Sequence, residues 1–189
     1  MLLQPFLEQC RAHPAAVALI EGDRTLSYGT LLAQAQGVAA ALAARGVGPG
    51  DRVALLLERG SLAVVAAFGV LMTGACYVPI DPRNPPARRD RILGDADVVA
   101  ILGTGPAPDG WDRLWLEAEA CAAAPFDPVL PDRAALVAIL YTSGSTGQPK
   151  GVALSHGAIA AFAHWAADLL ALIPGERIAS SAPLSFDLS

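Results

Sequence analysis

The chain has 189 residues, of which 53% are hydrophobic and 16% charged, and its net charge is −5. That length is enough for one domain with a substantial core, and the acidic balance offers no basic footprint for nucleic acid or an anionic membrane surface. Its three cysteines, Cys10, Cys76 and Cys121, lie far apart, with no C-x-x-C and no histidine at ligand spacing; this argues against a disulfide framework or zinc site and for a reduced, cytoplasmic protein.

In chain order, Val17–Ile20 and Thr25–Ser27 flank Glu21-Gly22-Asp23-Arg24, a hairpin pattern with Gly-Asp turn chemistry. Residues 28–45 have the length, Ala/Leu content and periodicity of a helix that Gly46 terminates. After the Val47-Gly48-Pro49-Gly50-Asp51 turn, residues 52–57 read as a strand, and a second helix follows with Ser61 as the expected N-cap. Thr73-Gly74 breaks that helix, and residues 75–80 read as a buried strand. Residues 60–80 carry no charge and reach membrane-spanning length, but Gly69, Thr73, Gly74 and Pro79 divide them into two elements, so a membrane span is not expected. The N-terminus also lacks a basic region followed by an apolar stretch, so a signal peptide is not expected.

The prolines at 82, 85 and 86 prevent the next stretch from being helical throughout. Residues 88–94 read as a short helix and 98–102 as a strand. Residues 103–131 form an irregular crossing that includes a short 113–116 strand. Residues 135–141 are a strand-length apolar run, residues 151–154 are β-like, and Ser155 is the expected N-cap of an amphipathic helix reaching about Leu172. Residues 178–180 return to strand. The repeated β–α–β alternation predicts an α/β fold built on a largely parallel sheet with helices on both faces. The low charge content suits such a sheet, and also suits part of a larger body.

One segment cannot serve the core. Thr142–Gly151, reading TSGSTGQPKG, holds three Gly, four hydroxyl side chains, one Pro and one Lys, with no apolar side chain. It can present backbone N–H groups, hydroxyls and one ammonium to a common point, as a polyphosphate requires. It narrowly fails the Walker pattern: Pro149 precedes Lys150 and Gly151 follows it, where that pattern has Gly before the lysine and Ser or Thr after it. Proline has no N–H to offer a phosphate, and the flanks predict strand–loop–strand rather than strand–loop–helix.

With its flanks, YTSGSTGQPKG resembles the signature loop of the adenylate-forming enzymes, among them the amino-acid adenylation domains of nonribosomal peptide synthetases, the acyl-CoA synthetases and the luciferases. Two further regions resemble amino-acid adenylation domains: Leu26-Ser27-Tyr28 through Val53, and Gly74 through Pro82; Cys76 within the second and Asn84 just after it depart from the commonest forms. The resemblance covers the whole chain. It implies the front part of the large N-terminal subdomain of such an enzyme, and ATP as cofactor with Mg2+. It also implies formation of an aminoacyl-AMP and its transfer to the phosphopantetheine thiol of a peptidyl or acyl carrier protein.

By resemblance, Thr142, Ser143, Gly144, Ser145, Thr146, Gly147 and Lys150 hold the β- and γ-phosphates and then the departing pyrophosphate. Residues 180–189 resemble the region that carries Phe-Asp-x-Ser in amino-acid adenylation domains. Phe186 would then line the substrate site and Asp187 would bind the α-amino group. On this reading the chain holds no certain catalytic residue and no metal ligand. The remaining pocket, the residue for magnesium, the ribose-binding aspartate and the small domain with its lysine would all follow Ser189, so the isolated chain is not expected to be catalytically competent. Met1 stands close to the first helix, which suggests a free-standing ligase. The alternatives are part of an acyl- or aryl-acid CoA ligase, or a non-catalytic half of a split or truncated adenylation protein. Ser155-His156 does not qualify as a nucleophile–base pair, since neighbours on a starting helix face apart. His13, His156 and His164 read as ordinary surface or satisfied side chains.

Overall fold

The computed structural model describes residues 2–112, 114–143 and 148–185. A first helix, α1 (Leu3–Ala12), buries Leu3, Leu7 and Cys10 at the spacing of one helical face. The hairpin β1 (Val17–Glu21) and β2 (Arg24–Ser27) turns through Gly22, whose φ of +57° suits a residue without a Cβ. Ser27 then caps α2 (Tyr28–Ala43), accepting from the Thr30 N–H at 3.1 Å. Gly46, at φ +83°, ends that helix as expected, and the Val47 N–H turns back to the Leu42 carbonyl.

The rest of the chain builds a six-stranded sheet in the order β6-β5-β3-β4-β7-β8. Its strands are β3 (Arg52–Leu56), β4 (Cys76–Pro79), β5 (Ala100–Gly103), β6 (Trp115–Glu117), β7 (Leu136–Ser143) and β8 (Pro149–Ser155). All neighbouring strands run parallel except β7 and β8, which form an antiparallel pair. Between them run α3 (Ser61–Met72) and α4 (Pro86–Asp95), and α5 (His156–Leu169) follows β8.

Helices cover both faces, and β3 shows why its run is apolar at every position from Val53 to Leu56. Val53 and Leu55 pack with α2 and α3, through Val38, Leu42, Val65 and Val70, whereas Ala54 and Leu56 pack with Ile92 and Leu93 of α4. A Cβ at Gly69 would sit 2.6 Å from the Val38 Cβ, so glycine there lets α3 lie close against α2. On the outer side of that pair α1 adds a second layer, with the Phe6 and Phe68 rings stacked 3.8 Å apart. At the opposite border, α5 packs Ile159 against Val137, Ala138 and Leu71, while Phe162, Trp165 and Leu169 stay exposed. Among the described residues, β8 pairs with β7 alone.

Several sequence expectations are corrected. Ser61 does not cap α3: it is the first helical residue, and Gly60 precedes it. The cap comes from Glu21 at the end of β1, whose carboxylate accepts from the Ser61 N–H at 3.2 Å and from its hydroxyl. α4 begins at Pro86 rather than residue 88, because proline is well suited to the first turn of a helix, where its missing N–H leaves no bond unmade. The short strand of the crossing lies at Trp115–Glu117, not 113–116, and α5 ends at Leu169 rather than near 172. Residues 178–180 are not in a strand. His156 is neither a surface nor a satisfied histidine: it is 1% exposed, and its Nδ1 is buried without a hydrogen-bond partner.

Candidate functional site

In a parallel sheet the carboxyl ends of the strands share one edge, and open α/β sheets place their ligands there. Three segments reach this edge side by side: the loop after β3, the Ile80-Asp81-Pro82-Arg83 turn after β4, and the end of β7. The first two segments and residues 181–185 enclose a cavity of about 270 Å³, lined among others by Leu57, Arg59, Ile80, Asp81, Arg83 and Leu184.

Charge at this cavity is organised in two ways. Asp81 accepts from the Arg83 backbone N–H at 2.9 Å, and its carboxylate pairs with the Arg83 guanidinium at 2.7 and 3.0 Å. Those hydrogen bonds hold the Asp81 carboxyl below its usual range. Arg59, after β3, donates to the Ser180 carbonyl at 2.7 Å and so ties the 181–185 segment over the strand ends. Sequence reasoning missed both arrangements; the Asp-Pro-Arg spacing carried a signal for the first, but a bond across 121 positions carried none.

Of the phosphate-loop residues named from the sequence, Thr142 and Lys150 are brought together. They are partners in the β7–β8 ladder, so their side chains leave the same side of the hairpin as cross-strand neighbours. Both are exposed, and among the described residues Lys150 makes no ion pair. Ser143 ends β7, with its backbone paired to Pro149. The connection is strand–loop–strand, as the flanking residues predict. Gly144, Ser145, Thr146 and Gly147, and likewise Phe186 and Asp187, lie outside the described residues.

Ser155 does cap α5, accepting from the Ala158 N–H at 3.2 Å, which disposes of it as a nucleophile. Burial holds the His156 imidazole below its usual range, with Asp132 opposing. Among the described residues no group of three or more His, Cys, Asp or Glu could hold a metal ion, and no helix is long and apolar enough to cross a membrane.

The model of the AMP-binding enzyme family matches residues 6–189. The chain belongs to the AMP-binding enzyme family. It is 35% identical over 211 residues to the L-proline–[L-prolyl-carrier protein] ligase of Pseudomonas fluorescens, covering 100% of this chain and 41% of that protein. It is 38% identical over 191 residues to the AMB antimetabolite synthetase AmbB of Pseudomonas aeruginosa, covering 97% of this chain and 15% of AmbB. Among solved structures, the AMPPNP-bound nonribosomal peptide synthetase FmoA3 superposes with a TM-score of 0.87 at 30% identity, over 99% of this chain and 20% of that one. The o-succinylbenzoate CoA synthetase of Bacillus subtilis, in complex with its acyl-adenylate, has a TM-score of 0.87 over 96% of this chain and 50% of its own. At 24% identity that match speaks for the shared fold alone. The chain thus has the α/β architecture of the N-terminal subdomain of adenylate-forming enzymes and spans less than half the length of these curated relatives.

Proposed function

We propose that this chain is the front part of an amino-acid adenylation domain, and that it holds the polyphosphate of ATP on the β7–β8 loop while an amino acid is activated as aminoacyl-AMP. The observation that carries the reading is the cross-strand pairing of Thr142 with Lys150, which makes no ion pair among the described residues, at the base of a glycine- and hydroxyl-rich segment. This loop springs from the carboxyl edge of a parallel sheet. Among the described residues that lysine has no carboxylate partner, and it suits an anionic ligand.

In the proposed reaction a carboxylate oxygen of the acid forms a bond to the α-phosphorus of ATP. The bond from that phosphorus to its bridging oxygen breaks, and pyrophosphate leaves with the electron pair. Negative charge grows on the leaving group, so donors fixed near the β- and γ-phosphates favour the transition state. Lys150 and the hydroxyls of Thr142, Ser143, Ser145 and Thr146 would supply them, with Gly144 and Gly147 allowing close backbone approach. Magnesium would add charge neutralisation on the phosphates, but the described residues give it no cluster of ligands. Phe186 and Asp187, just past the 181–185 segment that lines the cavity, would receive the amino-acid side of the substrate. The activated acid would then pass to a carrier-protein thiol.

The test is binding of pyrophosphate and AMPPNP to the purified chain by calorimetry. Saturable binding that Lys150→Ala weakens supports the reading; equal affinity in both proteins overturns it. An acyl- or aryl-acid ligase remains the competing reading, and the Asp187 experiment in the Discussion separates the two.

A further inference from the structure

We infer that Tyr141 and Asp95 form a positioning pair that latches the stem of the phosphate loop to helix α4. β7 meets β4 in the ladder at Tyr77↔Ala138. Among the described residues β8 has no further strand beside it. Beyond that rung the ladder bonds of β7 run to β8 alone among the described residues, so the hairpin's end depends on packing for its hold on the body. To the packing of Ile139 and Leu140 in the core, a side chain adds a polar tie. The Tyr141 hydroxyl donates to Asp95 Oδ2 at 2.6 Å, across 46 positions of sequence, and Asp95 is the last residue of α4.

Two further observations fit this role. Tyr141 is paired with Gly151, and a Cβ at Gly151 would lie 2.9 Å from Ile139 Cγ2 and 3.2 Å from Tyr141 Cζ. Glycine at 151 thus leaves the space in which the Tyr141 ring lies across the hairpin toward α4. The ring also packs with the Ala54, Val78 and Ile92 cluster between α4 and the sheet. Burial and the neighbouring carboxylate both push the Tyr141 phenol up, so it stays a donor across the accessible pH range. The next rung of the ladder carries Thr142 and Lys150. A bond at Tyr141 therefore fixes the base from which the ligand-facing side chains project, although Tyr141 need touch no ligand itself. The consequence for ligand binding rests on the phosphate-loop reading above; the latch itself does not.

The experiment compares the purified chain with Tyr141→Phe, Asp95→Ala, Asp95→Asn and the Tyr141→Phe/Asp95→Ala double variant. Amide hydrogen exchange at residues 140–142 and 151–152 should quicken about tenfold in Tyr141→Phe and Asp95→Ala, while β3 exchanges as before. Asp95→Asn, whose amide oxygen still accepts, should recover most of the protection. Pyrophosphate affinity should fall several-fold in each single variant and no further in the double, because both remove one bond. Unchanged exchange at the stem, or additive losses in the double variant, would overturn the latch. Unchanged pyrophosphate affinity in Tyr141→Phe, where Lys150→Ala does weaken it, would also overturn it. If Lys150→Ala has no effect either, the phosphate reading falls, and stem exchange alone then decides the latch.

Discussion

Thr142 and Lys150 stand opposite each other across the β7–β8 hairpin, one rung beyond Tyr141 and Gly151. Their cross-strand spacing puts a hydroxyl and an ammonium on one side of the ribbon. In a complete adenylation enzyme carrying this segment, Lys150→Ala should raise the barrier for ATP use by about 1.5–3 kcal/mol, the range of a charge-assisted contact. Pro149→Ala should cost less, since proline offers no donor. Equal kcat/KM for ATP in wild type and both variants would remove the assignment.

Substrate class is tested at Asp187. If its carboxylate meets an α-ammonium, Asp187→Ala in the complete enzyme leaves the substrate cation without a partner, a loss of about 3–5 kcal/mol. A deaminated analogue of the same acid has no cation and should lose far less. The ratio of kcat/KM for acid and analogue is the quantity to measure. A ratio that does not move with the mutation points to an acyl- or aryl-acid ligase.

Glu21 links the β1–β2 hairpin to α3 by capping that helix from 40 positions away. Glu21→Ala should lower stability by about 1 kcal/mol, the usual loss for a removed cap, seen as a fall of roughly 3 °C in Tm for a chain of this size. The hydrogen bonds to Ser61 depress the Glu21 carboxyl below its ordinary value. A depressed carboxyl stabilises the fold above its unfolded pKa, and that contribution is lost as pH falls through the folded pKa. The gap in Tm between wild type and Glu21→Ala should therefore close under acid. A gap constant from pH 7 to pH 3 would count against the carboxylate as the cap.

His156 makes stability depend on pH in a different window. Burial depresses its pKa, so the folded ring resists a proton that the unfolded ring accepts near 6.5. Stability should then decline as pH falls below about 6.5, and the decline attributable to this residue should end at the depressed folded pKa. Thermal unfolding between pH 7.5 and 5.5 of wild type and His156→Leu checks this. The variant should be flatter over that interval; parallel curves would exclude His156 as the source.

The sequence predicted the sheet's hydrophobic strands and the capped helices because each is local. Ser155 caps the helix that follows it, Gly46 ends α2, and Pro149 with the β-like 151–154 run identifies a hairpin rather than a helix-opening loop. Three features escaped for a common reason, which is that their cause lies far along the chain. Glu21 displaces Ser61 as the cap of α3, Asp95 receives Tyr141, and α5 folding over β7 buries a histidine whose neighbours in sequence gave no sign of it. The 178–180 run, Ile-Ala-Ser, failed as a strand because one strand-favouring residue specifies little without a partner strand, and none pairs with it among the described residues. At the site, the sequence left Thr142 and Lys150 in the loop, whereas β7 runs on to Ser143 and β8 starts at Pro149, which pairs the two; the cavity depended on a strand order that local patterns do not encode.

The unpaired border of β8 also has a consequence for the protein as a colloid. Along that border, among the described residues, a row of backbone donors and acceptors has no partner strand and is left to water. Beside it, α5 turns Phe162, Trp165 and Leu169 outward, and Asp168 is its one charged side chain. Attraction between two such surfaces is largely apolar, so it escapes salt screening and weakens on cooling. Light scattering from the isolated chain should therefore rise with protein concentration and with warming, and added sodium chloride should not disperse the associated species. Phe162→Glu with Trp165→Lys, two changes at exposed positions, should restore a monodisperse solution without loss of helix.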